Sequence, residues 1–575
     1  MDRHVIARVL DEIGTLMELS GENPFRARAF FNAARAVAAL EGDVAALAVS
    51  GGLAGVKGFG PATAEVAREL VVSGESSLHR ELRSRTPPGL LEMLAIPGLG
   101  ARRVHTLHSA LGITSLEELE RAAAAGRIAS LSGFGKKTEE KLLEGVAFLR
   151  SVAGRRRQPE AWSAAEEVLE ALRGSPVFQR VEPAGALRRR VETVDAAAFV
   201  AAAADADRAL AAFLELPGVV RGEREGAAAR GWTADGFELR LACVAPEAFG
   251  VAWVHGTGSD GHWDALVRRA AERGLHLERD GLRRDGALLG VEDEAALYAA
   301  LGLVYIPPEL REGRGEVEAA AAGVLPRLLE PAALRGCFHC HTTYSDGKAT
   351  LREMAEAAAA RGWRYLGLAD HSRAAAYAGG LSTDEIARQH EEIDRWNAER
   401  GDELWLFKGI EADILADGRL DYASDEGVLS RFDYVIGSVH SSFGLSEGEQ
   451  TARVLRALED PHLTFLGHPT GRLLLSREGY RIDLDAVIAA AAERGVGIEI
   501  NANPWRLDLD WRFWRAAREA GVRTAINPDA HDTAGVDDVR WGIAVARKGW
   551  LTAEDVVNAW SVDAVKAFFA EGRGR

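Results

Sequence analysis

Tyr365-Leu366-Gly367-Leu368-Ala369-Asp370-His371 is a short apolar run that stops abruptly on two ligand-type residues. The pattern recurs on both sides of it. Leu404–Ile410 leads into Glu411, Tyr434–Val439 into His440, and Leu463–Gly467 into His468. Ile498–Ile500 leads into Asn501, and Thr524–Asn527 into Asp529 and His531, while an earlier strand-like stretch carries His339 and His341. Helix-patterned segments separate these runs, so they read as βα units. Polar groups gathered at the carboxyl ends of successive strands predict a parallel (β/α) barrel of about seven strands, with its site on that face.

His339-Cys340-His341 places two imidazoles on one side of an extended strand, because side chains alternate with period two. One such pair is a weak signal, since a lone histidine is more often satisfied inside a core. The company changes the reading: His371, Glu411, His440, His468, Asp529 and His531 each sit just beyond a strand, and six of the chain's 15 histidines are used this way. Imidazole and carboxylate together suit zinc, manganese or iron, and more than four donors imply more than one ion.

At these residues segment 336–575 resembles a PHP (polymerase and histidinol phosphatase) domain. The likeness rests on His339-Cys340-His341 with Tyr344-Ser345-Asp346-Gly347, Ala369-Asp370-His371-Ser372 and Gly409-Ile410-Glu411-Ala412-Asp413. It continues in Ser438-Val439-His440-Ser441, Gly467-His468-Pro469-Thr470 and Pro528-Asp529-Ala530-His531. The resemblance implies a distorted seven-stranded (β/α) barrel holding three divalent ions, Mn²⁺ or Zn²⁺. His339, His341, Glu411 and Asp529 would hold one ion and carry the catalysis. Glu411 would bridge to a second ion held by His440 and His468, and Asp346, His371 and His531 would hold the third. Cys337 departs from the family's usual Asp, at a position that is not a ligand. Asp413 or Asp370 would orient ligands from behind. The implied chemistry is phosphoester hydrolysis, in which divalent ions lower the pKa of water and neutralise charge on the phosphate oxygens.

The first part of the chain is helical in pattern and carries a weak repeat. Val56-Lys57-Gly58-Phe59-Gly60-Pro61, Ile96-Pro97-Gly98-Leu99-Gly100-Ala101 and Leu131-Ser132-Gly133-Phe134-Gly135-Lys136 each open an amphipathic helix. Each resembles the hairpin of a helix-hairpin-helix motif. Paired glycines (Gly58 and Gly60, Gly98 and Gly100, Gly133 and Gly135) allow a tight turn and close approach to a partner, and the following helix offers free N–H groups to phosphate. Such contacts grip DNA without reading bases. Residues 1–158 carry 21 Lys+Arg against 18 Asp+Glu, whereas 336–575 carry 28 against 39. A slightly basic front on an otherwise acidic chain suits a DNA-gripping module joined to metal chemistry.

Between these parts the pattern is mixed: a helix at 162–173, strands at 197–202 and 237–244, and helices near 263–274 and 293–301. Arg155-Arg156-Arg157-Gln158-Pro159 reads as a linker, as do Pro307-Pro308 and the charged stretch Glu309–Glu318. The order of modules over the whole chain resembles a bacterial family X DNA polymerase. That resemblance implies an all-α helix-hairpin-helix region at 1–85 and 86–155, and an α/β nucleotidyltransferase palm at 156–245. A small thumb at 246–310, a linker at 311–335 and the PHP barrel at 336–575 would follow. Arg189, Thr257 and Gly258 would line the nucleotide pocket. Yet the palm's metal-binding Asp positions fall on Ala196 and Ala198, its third carboxylate is Glu238, and the family serine is Ala186. A methyl group cannot hold an ion for two-metal phosphoryl transfer. Asp195 and Glu238 remain as an acidic pair for a single palm Mn²⁺ or Mg²⁺. The lysine that attacks abasic deoxyribose falls on Val66, which is no nucleophile.

Composition sets the outer bounds. With 575 residues, 47% hydrophobic and 27% charged, the chain has material for several cores, and wholesale disorder is excluded. No apolar run reaches membrane length, and Met1-Asp2-Arg3-His4 lacks a signal-peptide layout. Three cysteines build no disulfide framework, which points to a reducing cytoplasm. A net charge of −17 argues against a general polyanion binder. The expected protein is a DNA-repair enzyme that binds gaps, ends or primer-template. Its barrel would act as a 3′-5′ exonuclease, and its palm, with dNTP as a further partner, would have weakened or altered polymerase activity. A non-catalytic DNA-end scaffold and a small-molecule phosphatase of the histidinol-phosphate type are the rival readings.

Overall fold

The computed structural model describes residues 3–38, 40 and 42–572. The chain forms two compact units, Met1–Ala153 and Gly154–Arg575.

The first unit is helical and has two cores. Ile6, Leu10, Ile13 and Leu16 of the helix Arg3–Leu19 bury against Phe30, Ala33 and Val37 of the helix Pro24–Ala38. Ile96, Leu99, Val104, Leu142 and Val146 form the second. The three repeats adopt one geometry. Gly58, Gly98 and Gly133 have φ of 107°, 80° and 83°, a left-handed backbone that only glycine adopts without strain. The N–H groups of Phe59, Leu99 and Phe134 then donate to the carbonyls of Val56, Ile96 and Leu131, each at 3.0 Å. Gly60, Gly100 and Gly135 are extended N-caps of the helices Pro61–Ser73, Ala101–Leu111 and Lys136–Val152.

The second unit begins with a five-stranded sheet. Its strands are β1 (Arg180–Ala184), β2 (Ala196–Ala202), β3 (Arg221–Glu225), β4 (Ala228–Trp232) and β5 (Glu238–Val244), in the order β1-β2-β5-β4-β3. Only β2 and β5 run parallel, with Ala196 opposite Glu238 and Ala198 opposite Arg240. The helices Gln158–Gly174 and Ala206–Leu214 cover one face through Leu169, Leu172, Leu210 and Phe213. Helices Phe249–Thr257 and Asp260–Glu272 follow, with a small antiparallel sheet over 276–289.

Both stretches expected to be linkers are ordered. Arg156 and Arg157 pair with Val194 and Thr193, and the Gln158 side chain is buried, donating to the Leu187 carbonyl at 2.9 Å. The charged run at 309–318 is folded against the core, with Arg311 and Glu316 buried and Arg314 and Glu318 exposed. Its charges are matched: Arg311 to Glu294 at 2.5 Å, Glu316 to His262 at 2.7 Å, Glu312 to Arg189 at 2.9 Å. Buried charges are tolerated when each has a partner, so a run of charges here marks a paired interior rather than a solvated connector.

Seven parallel strands then make the barrel in sequence order: β6 (Gly336–Cys340), β7 (Tyr365–Leu368), β8 (Trp405–Asp413), β9 (Tyr434–Ser438), β10 (Phe465–Leu466), β11 (Gly497–Asn501) and β12 (Thr524–Asn527). A parallel bridge between Cys340 and Ala530 joins the first strand to the residues after the last. The interior is filled by Phe338, Tyr365, Phe407, Tyr434 and Phe465, one aromatic from each of the first five strands. From below, the helix Val562–Gly572 inserts Phe569, stacked on Tyr434 at 5.1 Å and edge-on to Phe338 at 5.5 Å. Aromatic layers of this kind make the barrel a packed core whose open end is the carboxyl rim. Among the described residues no helix is long and apolar enough to cross a membrane.

Candidate metal centre

Strand alternation alone does not place the first two histidines. The register of β6 against β7 shifts between Cys337 and Cys340, and His339 has φ 58°. Phe338 belongs to the barrel interior, while Cys337 and Cys340 pack in the outer layer between strands and helices. The bulge turns His339 inward as well, beside His341, with ring centroids 5.2 Å apart. His468 and Asp529 also have positive φ, 24° and 52°. Strained backbone concentrated at one rim is a mark of a functional site.

Glu411 is the hub. Contrary to the expectation that it lies beyond its strand, β8 runs on to Asp413, and Glu411 sits within it opposite Ile436. Its Oε1 lies 3.2 Å from His339 Nε2, 3.2 Å from His440 Nε2 and 3.0 Å from His468 Nε2. Its Oε2 lies 2.9 Å from His371 Nδ1 and 3.8 Å from His341 Nε2. Asp529 Oδ1 is 3.2 Å from His341 Nε2, and Asp346 Oδ1 is 3.3 Å from His531 Nε2 and 3.6 Å from His371 Nε2. All nine residues singled out in the sequence therefore meet at one rim. Three groups have ligand atoms mutually within 4.8 Å: His341, Asp346, His371 and His531; His339, His341 and Glu411; and His371, Glu411 and His440. The grouping differs in detail from the implied one: His341 joins the Asp346 set, and His371 replaces His468 beside His440.

The electrostatics show what the centre lacks. Burial pulls the His440 imidazole down, but Glu411 and Asp413 outweigh it and raise it to about 10; Asp346 and Asp529 likewise raise His531 to about 9. Burial and the neighbouring His531 and His371 push His341 down to about 3. Glu411 and Asp529 are held well below the usual carboxylate range by the surrounding imidazoles, against their burial. Several ligand-type atoms make no well-formed hydrogen bond: His339 Nε2, both His341 ring nitrogens, His371 Nδ1 and Glu411 Oε2 are buried and crowd against one another or against carboxylates. Unsatisfied buried nitrogens and oxygens converging on one point are costly for a protein alone. They fit divalent ions, which take imidazole and carboxylate donors in place of protons.

Outer residues hold this set. Asp413 Oδ1 accepts from His440 Nδ1 at 2.6 Å, and Asp370 accepts from the Thr342 N–H at 2.7 Å and the Ser345 hydroxyl at 2.6 Å, pinning the loop that carries Asp346. The sequence reading passed over Glu499. It is fully buried, 2.6 Å from His339 Nδ1, and accepts from Asn501 and Asn527 at 2.9 Å each. A glutamate in the middle of the apolar run Gly497–Asn501 was the available signal. Arg506, also passed over, approaches Asp529 at 3.4 Å.

The palm positions converge differently. Ala196, Ala198 and Glu238 are neighbours on β2 and β5. The Arg240 guanidinium occupies the remaining acidic groups, 2.9 Å from Glu238 and 3.0 Å from Asp195. Arg189 donates to the Thr257 carbonyl at 2.8 Å and pairs with Glu312, and the buried Thr257 hydroxyl accepts from Arg188 at 2.8 Å. A side chain at Gly258 would meet the His262 ring at 2.8 Å. All three residues are thus held by contacts to Arg188, Glu312 and His262. Val66 lies in the front core.

Comparison with known proteins agrees with this architecture. The helix-hairpin-helix domain family matches residues 1–76, and the SAM-like helix-hairpin-helix tandem family matches 90–147. The DNA polymerase beta thumb family matches 252–312, and the PHP domain family 338–503. The chain is 30% identical to a probable phosphatase of Thermoanaerobacter sp., over 29% of this chain and 68% of that protein. It is 32% identical to one from Caldanaerobacter subterraneus, over 30% and 67%. The DNA polymerase/3′-5′ exonuclease PolX of Bacillus subtilis is 37% identical over 99% of both chains. With its hairpin repeats, polymerase-type thumb and C-terminal PHP barrel, the chain belongs to the PolX family of bacterial family X DNA polymerases.

Proposed function

We propose that this protein binds gapped or broken DNA in the bacterial cytoplasm and nucleoid, and that its barrel is a metal-dependent 3′-5′ exonuclease. The observation that carries the reading is the convergence of nine nitrogen and oxygen donors, several of them orphaned, at the rim of the barrel. His339, His341, Glu411 and Asp529 would hold one divalent ion, Glu411 with His440 and His468 a second, and Asp346, His371 and His531 a third. Bound ions of this class, Mn²⁺ or Zn²⁺, supply acidified water and charge neutralisation for phosphoester hydrolysis. The chain's own residues do the rest. Asp413 and Glu499 hold His440 and His339 in one tautomer and orientation, and Glu411 fixes the spacing of the set. The Arg506 cation adds positive charge where a scissile phosphate would sit. The hairpin glycines expose backbone N–H groups for phosphate contacts: a Cβ at Gly98, Gly100, Gly133 or Gly135 meets nothing within 4 Å.

Templated synthesis is assigned a minor part. Two carboxylates are methyl groups and the third is neutralised by Arg240, so the palm does not present the acidic cluster that a nucleotide-bound metal pair needs. Its role under this reading is to carry DNA contacts and to brace the barrel.

The test is a paired assay on an end-labelled primed gap with Mn²⁺, with and without nucleotides. Shortening in both arms, abolished by His339→Ala or Asp529→Ala, supports the reading. Extension would overturn the assignment of the palm. Hydrolysis of a small phosphomonoester, with the oligonucleotide left intact, would favour a phosphatase like the relatives of the barrel region. Intact DNA in every arm together with tight end binding would favour a scaffold.

A further inference from the structure

We infer that Tyr377 is a substrate-contacting residue whose ring stacks on the terminal nucleobase and so makes the barrel discriminate base-bearing ends from other phosphoesters. This rests on the proposed hydrolysis of DNA at the barrel and adds the residue that recognises what is attached to the phosphate.

Tyr377 stands in the loop after β7, and the residue is 73% exposed. Its ring centroid lies 6.3 Å from that of His371 and 6.5 Å from that of His440. It therefore stands at the lip of the metal centre, beside where the phosphate would be held, and a nucleobase lies one sugar away from its phosphate.

The turn that carries it is pinned from both sides. The Arg373 N–H donates to the Tyr422 hydroxyl at 2.8 Å and the Ala374 N–H to Asp421 at 2.6 Å. The Leu381 N–H donates to the His371 carbonyl at 2.9 Å, and Ala375 and Ala378 are buried. A rigid backbone thus holds an apolar ring in water, which is the state of a surface prepared for a partner.

Two other exposed aromatics flank the rim, and both are already covered. Trp505 lies under the Arg157 guanidinium at 3.1 Å, and Phe443 lies between Tyr480, at 5.9 Å, and Arg477, at 4.6 Å. Among the described residues of this rim, Tyr377 alone has a large exposed ring with no cation or non-histidine ring against it. Every base has a π-face, so a bare aromatic is a sequence-tolerant reader of a nucleic acid end.

The experiment compares two single-stranded oligonucleotides under saturating Mn²⁺, one ending in thymidine and one ending in an abasic tetrahydrofuran nucleotide. The wild-type protein should remove the thymidine faster. Tyr377→Ala should lower kcat/KM for the thymidine end by roughly 5- to 100-fold, the range expected for losing one base–aromatic stack. It should leave the abasic end unchanged, and Tyr377→Phe should behave as wild type. Equal loss on both ends, no loss on either, or a Tyr377→Phe variant as impaired as Tyr377→Ala would each overturn the inference. Wild-type protein that removes neither terminal nucleotide would overturn the hydrolysis reading itself, and this inference with it.

Discussion

Glu499 and His339 form a fully buried acid–imidazole pair behind the metal centre, with Oε2 2.6 Å from Nδ1 and neither side chain exposed to solvent. The contact leaves Nε2 facing Glu411, so it selects both the tautomer and the direction of the ring. Glu499→Gln keeps the size but removes the charge. Metal affinity or hydrolysis should fall roughly 10- to 100-fold, the range for outer partners of ligating histidines. A Mn²⁺ titration followed by metal quantification reads this directly, and unchanged affinity and rate would remove Glu499 from the centre.

Palm and barrel should separate in mutagenesis. Asp529→Ala should reduce hydrolysis by more than the roughly 100-fold upper range of outer-sphere changes. Glu238→Ala, which breaks the pairs with Arg240 and Arg230, should stay within about twofold of wild type, since pairs at the surface contribute about 0–1 kcal/mol. Rates on an end-labelled single strand decide the matter.

The second glycine of each hairpin isolates DNA contact from folding. Gly100 and Gly135 have extended backbones that any residue adopts, and a Cβ there meets nothing within 4 Å. Gly100→Ala together with Gly135→Ala should lower the melting temperature only slightly, by the cost of two poorer N-caps. Affinity for gapped duplex should weaken roughly tenfold, about 1.4 kcal/mol. Gel-shift titration at fixed salt is the measurement, and unaltered binding would show that these turns are purely structural.

Glu294 ties thumb to palm and carries a pH signature. Its carboxylate takes Arg188 at 2.6 Å and Arg311 at 2.5 Å; burial would raise its pKa, but the two guanidinium groups hold it at about 2. A carboxylate with a depressed folded pKa stabilises fully above its unfolded value of 4.5, and that contribution drains as pH falls toward 2. The loss over that window should be about 3 kcal/mol. Denaturant melts between pH 6 and pH 3 should slope less in Glu294→Gln than in wild type.

Phe569 closes the barrel floor. Phe569→Ala should destabilise the barrel by about 3–5 kcal/mol, as for other buried phenylalanines. Thermal unfolding followed by near-UV circular dichroism reads the change.

The barrel was legible because its signals are local. Thr524–Asn527 is a strand with the bounds its composition suggested, and eight of the nine donors lie at or near the end of an apolar run; Asp346, in the loop after β6, was reached only through the family resemblance. What escaped was what depends on partners far along the chain. Glu499 looks like a polar break in an apolar strand until His339, 160 residues away, is placed beside it. Glu309–Glu318 looks like solvated linker until Arg189, His262, Glu294 and Lys548 supply partners for its Glu312, Glu316 and Arg311. The inward turn of His339 depends on a register shift that no periodicity announces.

The plug formed by Phe569 has a bearing on how the protein is made. Residues 562–572 leave the ribosome after every one of the nine donor side chains. A polypeptide cut short just ahead of them would carry the whole ligand set above a hollow floor, with the helical front already complete. Under the proposed function, DNA gripping would then precede nuclease competence during synthesis, so a nascent chain would hold a strand before it could cut one.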